Sequence, residues 1–325
     1  MITDTQTTKP IGGYFELELP ASNGHFYSQA LKFQSARAAF YALLETGKPQ
    51  RVWMPKYICD SMLLPLQALK IEIVFYDLTE QLSVCDSVQI SEKDWLLYVN
   101  YFGICHKQET QLLNRFNPKQ LIFDHSQAFY APPLDCLATI YSPRKFFGVA
   151  DGGYLITQLP VIEPETIDTQ SVFRCTHLLQ RLDGDIAAGY QSFQTAEVSF
   201  DEVLPRKMST LTNKMLASFD YQAIKNKRNA NFKFLHENLA QMNGLKSAFE
   251  MIDGALCYPI LLEDLTTRSR LLENKIFVAT YWADVKNRTN VDSFEWELTE
   301  KCLPIPCDQR YDKNDLTSIL KCLME

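Results

Sequence analysis

The chain has no Cys-x-x-Cys pair, no basic tract, no membrane-length apolar run and no internal repeat. Its nine cysteines, Cys59, Cys85, Cys105, Cys136, Cys175, Cys257, Cys302, Cys307 and Cys322, are scattered and odd in number. That pattern excludes a disulfide framework and a cysteine zinc site, and it fits reduced thiols in a cytoplasm. The five histidines are equally dispersed, so no metal cluster is expected. A net charge of -7 with no Lys/Arg stripe argues against nucleic acid as a partner. The apolar run around Trp95 to Ile104 is broken by Asn100 and is too short to span a bilayer. Met1 to Gln6 lacks a basic region followed by an apolar stretch, so no secretion signal is read there. What remains is a 325-residue globular chain, 46% hydrophobic and 22% charged, with material for a large core and a smaller lobe.

Residues 1–30 read as an irregular arm with turns at Gly12-Gly13 and Asn23-Gly24. Ser35 is a candidate N-cap for a helix over Ala36 to Glu45, with Gly47 as its stop. Short apolar runs follow at Arg51 to Met54, Ile71 to Tyr76, Trp95 to Val99, Gln120 to Phe123, Ala138 to Tyr141 and Gly153 to Thr157. Helix-like segments at Asp60 to Lys70 and Lys107 to Phe116 lie between them. Near-continuous apolar strands alternating with helices predict an α/β fold whose mostly parallel sheet is covered on both faces. Beyond it, a helix is expected near Thr195 to Leu204. Leu216, Tyr221, Ile224, Arg228, Phe232, Leu235 and Leu239 recur at helical spacing, which predicts one long helix ended by Asn243-Gly244. A smaller α+β lobe with a strand at Leu256 to Leu262 and a last helix over Lys313 to Leu323 completes the chain. The expected division is an arm over 1–30, a large domain over 31–215 and a small domain over 216–325.

Ligands in such sheets bind beyond the carboxyl ends of strands. Asp124 ends one apolar run there, and Lys145 follows the next run by way of Ser142, Pro143 and Arg144. An amine that can condense with an aldehyde, and an acid that can keep a pyridine nitrogen protonated, are the two groups pyridoxal phosphate requires. Small residues at a helix start, Ser35-Ala36-Arg37, suit a phosphate, and Arg37 can add a charge-assisted bond. Ser142 can donate a hydroxyl to the same phosphate. Tyr57 can stack on a flat ring, and Gln127 can bond its phenolic oxygen. Each residue alone also has an ordinary reading: a strand-end cap for Asp124, a loop lysine for Lys145, a plain N-cap for Ser35, a surface arginine for Arg37, a turn serine for Ser142, a core or rim tyrosine for Tyr57 and an exposed first-turn residue for Gln127. Their order along the chain is what points to one cofactor.

In that order the chain resembles the DegT/DnrJ/EryC1/StrS family, the sugar-nucleotide aminotransferases among fold-type I (aspartate aminotransferase-like) pyridoxal-phosphate enzymes. The likeness rests on Ser35-Ala36-Arg37-Ala38-Ala39-Phe40, Trp53-Met54-Pro55-Lys56-Tyr57, Val74-Phe75-Tyr76-Asp77, Val99-Asn100-Tyr101-Phe102-Gly103, and Phe123-Asp124-His125-Ser126-Gln127-Ala128. Tyr141-Ser142-Pro143-Arg144-Lys145 with Asp151-Gly152-Gly153 completes it, and Leu303 to Arg310 looks like the family's closing strand and loop. The resemblance implies Lys145 as the lysine that carries the cofactor, Asp124 as the pyridinium partner, Gln127 near the ring oxygen, and Ser35, Ala36 and Arg37 at the phosphate. It also implies a homodimer with the active site at the subunit interface, a glutamate or glutamine donor and a nucleotide-linked keto-sugar acceptor.

The sequence departs from the family in three places. Ser35-Ala36-Arg37 stands where the family has Ser-Gly-Thr. Ile140 stands where the family has a serine five residues before the lysine. The family's asparagine-and-arginine motif from the partner subunit is not recognisable between 180 and 215. Two other readings stay open: a dehydratase or lyase using the same cofactor, which retention of Lys145 disfavours, and a catalytically silent homologue serving as a binding or regulatory subunit.

Overall fold

The computed structural model describes residues 11–201, 204–246, 249 and 252–324. The first ten residues of the expected arm lie outside the described residues, as does part of the helix expected near Thr195 to Leu204. Seven strands form the central sheet: β1 (Leu31–Phe33), β2 (Arg51–Pro55), β3 (Glu72–Tyr76), β4 (Asp94–Val99), β5 (Leu121–Asp124), β6 (Ala138–Tyr141) and β7 (Gly153–Thr157). Their order is β1-β7-β6-β5-β4-β2-β3. The five from β6 to β3 run parallel, and β7 is antiparallel to both neighbours. Every residue of β4, β5 and β6 is buried, which is why these runs are apolar without alternation. Two strands, β8 (Cys257–Leu261) and β9 (Cys302–Pro306), pair antiparallel in a second, smaller sheet.

The first helix, α1 (Ala36–Gly47), starts at Ser35, whose hydroxyl accepts the Ala38 amide at 3.1 Å. It is buried almost all round through Ala36, Ala38, Ala39, Phe40, Leu43 and Leu44. Gly47 differs from the expected stop. The left-handed residue is Lys48 (φ 48°), while Gly47 is the last helical residue. Its lack of a side chain serves packing, because a Cβ there would overlap the Trp95 indole.

One short helix and one regular one flank the parallel strands: α2 (Leu64–Ala68), after a single 3₁₀ turn at Asp60–Met62, and α3 (His106–Arg115). The 160–210 stretch carries α4 (Ser171–Arg174), α5 (Thr176–Leu182) and α6 (Ile186–Val198). Thus the helix expected near Thr195 to Leu204 lies earlier in the chain and leaves helical geometry after Val198. The single long helix expected from Leu216 is two, α7 (Thr210–Ala217) and α8 (Tyr221–Leu239). Asp220 separates them by capping the Ala223 amide at 2.9 Å. The chain then adds α9 (Thr267–Glu273), α10 (Phe294–Lys301) and α11 (Lys313–Met324). Among the described residues no helix is long and apolar enough to cross a membrane.

Candidate active site

The lysine sits on one 3₁₀ turn, Pro143–Lys145, that leaves the carboxyl end of β6. Proline suits the first position of that turn because its missing N–H is not needed there. The Lys145 amide donates to Ser142 O at 3.3 Å, and the Phe146 and Phe147 amides both reach Pro143 O at 2.9 Å. Phe146 and Phe147 are buried in an aromatic cluster with Phe129, Tyr130 and Tyr221. They anchor the turn while Lys145 itself stays exposed. Its amine makes no hydrogen bond or ion pair with a described residue. Arg144, next to it, is occupied: it pairs with Glu197 and lies 4.2 Å from the Phe200 ring centroid. Ser142 is 8% exposed, at the same strand end.

Asp124 closes β5, in register with Val99 of β4 and Ile140 of β6. Its carbonyl accepts the Asn100 amide at 3.0 Å, and the next amide, His125, donates to Ile140 O at 2.7 Å. The carboxylate is buried, and Oδ1 accepts the Ser126 amide at 2.8 Å. Gln127 is completely buried rather than exposed in a first helical turn. Its Oε1 accepts the Phe102 amide at 2.7 Å, which fixes the amide's orientation and leaves Nε2 buried with no partner. The parallel sheet thus brings Asp124, Gln127, Ser142 and Lys145 to one edge.

The start of α1 reaches the same edge because β7 runs backwards. Gly152 and Ser35 form a bridge, and the Gly152 amide donates to Gln34 O at 2.7 Å. A Cβ on Gly153 would lie 2.5 Å from the Ala36 nitrogen and closer still to the Ser35 carbonyl. Gly153 therefore provides close approach of β7 to the helix start, beyond easing a reversal. Arg37 does not extend toward an open phosphate position. Its Nη1 donates to Phe200 O at 2.6 Å and pairs with Asp201 at 3.2 Å. A polar cleft beside it is lined by Gln34, Asp168, Arg174, Ser199 and Phe200. Arg174 is already committed there to Asp168 at 2.7 Å and to Ser199. Tyr57 is a core residue, 1% exposed, with its ring 5.6 Å from Tyr101 and 4.7 Å from Trp282. Burial pushes its phenol well above the ordinary value.

Four groups support this edge through contacts not read from the sequence. Asp151 is fully buried and accepts the Ser209 amide and hydroxyl, both at 2.8 Å, tying the Gly-Gly turn to the start of α7. Burial raises its pKa, partly offset by the hydrogen bonds from Ser209. Directly behind Asp124, the buried His125 meets Glu109 of α3 at 2.6 Å. Arg228 of α8 is 1% exposed, and it reaches the lysine turn. Glu109 lies in a mostly polar helix, so nothing local marks it as buried; Arg228 falls in the apolar stripe of α8, which marks its face as buried but not its partners.

Comparison with known proteins gives a consistent architecture. No protein-family model matches the sequence, and no curated protein does. Solved structures do match. A DegT DnrJ EryC1 StrS aminotransferase from Brucella abortus aligns with TM-score 0.61 and 14% identity, over 91% of this chain and 85% of that one. The PLP form of Spr1654 from Streptococcus pneumoniae aligns with TM-score 0.60 and 14% identity, over 90% and 86%. DesI, solved in the presence of its TDP-sugar product, aligns with TM-score 0.61 and 18% identity, over 90% and 79%. At these identities the likeness establishes the fold: a mixed α/β chain built on a seven-stranded, mostly parallel sheet like that of the sugar aminotransferases.

Proposed function

We propose that this chain is a pyridoxal 5'-phosphate-dependent aminotransferase acting on a nucleotide-linked keto-sugar, with glutamate or glutamine as amino donor. The observation that carries the reading is the convergence of an exposed Lys145, a buried Asp124 and the α1 start at one sheet edge. The residues fit the cofactor on two structural counts. The Gln127 Nε2 is a buried donor with no partner among the described residues, and the side-chain-free approach of Gly153 brings a helix start to the same edge. The fold shared with Spr1654 in its PLP form and with DesI in the presence of a TDP-sugar supports the cofactor and the substrate class.

When bound, the cofactor supplies a protonated ring that draws electron density from the substrate carbon and carries an amino group from donor to acceptor. Lys145 would hold it, and its amine, when free, would carry a proton to and from the substrate carbon. Asp124 holds the ring-nitrogen proton by opposite charge. Gln127 donates Nε2 to the ring oxygen. The Ser35 and Ala36 amides at the helix start and the Ser142 hydroxyl would hold the phosphate, aided by the helix dipole. Arg37 and Tyr57 stand outside this set, being engaged by Phe200 and Asp201 and by Tyr101 and Trp282 respectively.

A cytoplasmic homodimer completes the proposal. Exposed apolar side chains on α4 to α6, among them Val172, Phe173, Leu182 and Tyr190, support a second copy as their cover. Purified protein mixed with pyridoxal phosphate is expected to develop a visible absorption band that borohydride abolishes and that Lys145→Ala never forms. Glutamate or glutamine should bleach it. A wild-type protein that stays colourless refutes the reading, and a band indifferent to every amino donor refutes amino transfer.

A further inference from the structure

Among the described residues Arg228 is the largest fully buried side chain, and it has no carboxylate within ion-pair distance. Asp308, the carboxylate whose charge acts on Arg228, is itself held by Arg310 at 2.7 Å. Arg228 instead spends its donors on neutral oxygens. Nε reaches Gln309 Oε1 at 3.0 Å, Nη1 reaches Ala255 O at 2.9 Å and Leu256 O at 3.3 Å, and Nη2 reaches Phe146 O at 3.3 Å. Its guanidinium carbon lies 4.6 Å from the Phe146 ring centroid. A buried cation without a counter-charge is costly, and a well-packed apolar residue commonly replaces a buried charge without loss. The α8 face around it, with Phe232, Leu235 and Leu239, is of that apolar kind. Burial depresses the Arg228 pKa.

Phe146 directly follows Lys145, and its carbonyl receives two side-chain donors. Gln309 Nε2 reaches it at 2.9 Å, and Arg228 Nη2 is the other. Gln309 Oε1 in turn accepts from Arg228, so the two side chains brace each other. Both come from beyond residue 216, whereas the turn itself is closed only by local bonds to Ser142 and Pro143. We propose that Arg228 and Gln309 form a clamp on the Phe146 carbonyl that positions Lys145 for its reaction, so that the C-terminal part of the chain sets where the lysine stands. The importance of Lys145 rests on the function proposed above; the clamp itself does not.

The experiment uses the full chain, with Arg228→Met, Arg228→Lys and Gln309→Leu. Backbone hydrogen exchange is read first, without any ligand. Amides of Phe146 and Phe147 should exchange about ten-fold faster in Gln309→Leu and Arg228→Met, the factor one hydrogen bond of ordinary net strength is worth. Amides of β8, which also abut Arg228, should be unchanged in Gln309→Leu. The rate at which Lys145 takes up pyridoxal phosphate should fall about ten-fold in both, with partial rescue by Arg228→Lys. Unchanged exchange at Phe146 and Phe147 in folded Gln309→Leu overturns the clamp, and so does acceleration spread evenly over β8 and α8. If Arg228→Met does not fold, Gln309→Leu decides alone. If the parent takes up no pyridoxal phosphate, the proposed function fails while the exchange data still judge the clamp.

Discussion

Replacing Gly153 by alanine should separate cofactor affinity from fold. The added Cβ would lie 2.5 Å from Ala36 N, with the Ser35 carbonyl nearer still. Ordinary non-bonded contact begins near ~3.5 Å, so the helix start must retreat from β7 by about 1 Å. These obstructing atoms are backbone and cannot rotate away, unlike a flexible side chain. If the first-turn amides of α1 hold a phosphate, a retreat of that size weakens or breaks one or two charge-assisted hydrogen bonds, each worth roughly 1.5–3 kcal/mol. The expected loss in affinity for pyridoxal phosphate is therefore about ten-fold for one weakened bond, rising to roughly ten-thousand-fold if two are broken. Pyridoxal, which has the aldehyde and ring but no phosphate, should lose less than about three-fold, because Lys145, Asp124 and Gln127 are untouched. Both affinities follow from absorbance titration of the visible band, with thermal unfolding as a check that the variant is folded. Equal losses for the two ligands, or an unchanged pyridoxal phosphate affinity in a folded variant, would refute the placement of phosphate at α1.

Three further outcomes follow from the same geometry. Gly47→Ala gains about 1 kcal/mol of helix propensity but inserts a methyl into the Trp95 indole, at a cost of roughly 1–3 kcal/mol. A lower urea midpoint is expected, and a higher one would show that Trp95 yields freely. Asp94 is inaccessible and takes hydrogen bonds from Arg51, Trp53 and the Ser91 amide. Burial by itself would raise its carboxyl, but those bonds outweigh it and its pKa lies below the ordinary 3.8. The unfolded state then binds the proton more readily, so the stabilisation is complete above the unfolded value and is lost as pH falls through the folded one. The stability gap between parent and Asp94→Asn should thus narrow below about pH 4; a gap constant from neutral pH to pH 3 contradicts this. Asp124→Asn should still take up pyridoxal phosphate through Lys145 yet lose amino transfer by roughly 100-fold or more, measured by bleaching of the band with glutamate. Full activity in that variant removes Asp124 from its assigned role.

The strands were legible where burial on both faces writes itself as a continuous apolar run, as in Trp95 to Val99, Leu121 to Phe123 and Ala138 to Tyr141. The Ser35 cap was legible because its partner, the Ala38 amide, is three residues away. Once those strands are parallel, Asp124 and Lys145 fall at one edge with little further choice. The three-residue β1 carried no signal, because its stability comes from pairing with β7 more than a hundred residues later. The short helices α4 and α5 were hidden for a similar reason, since the buried Asp168–Arg174 pair and the contact of Arg174 with Phe200 draw on residues on both sides of them.

Sequence by itself determined the doubly buried strands and the order in which an acid, an amide and an amine arrive at the sheet's edge, because apolar pattern and local capping are short-range. Only the tertiary structure decided that Gly47 makes room for an indole, that Arg37 turns to Phe200, that Tyr57 is core, and that Arg228 and Gln309 grip the residue after the lysine. Each of those depends on what packs against a side chain from a distant part of the chain, and burial of that kind leaves no mark in the neighbouring residues.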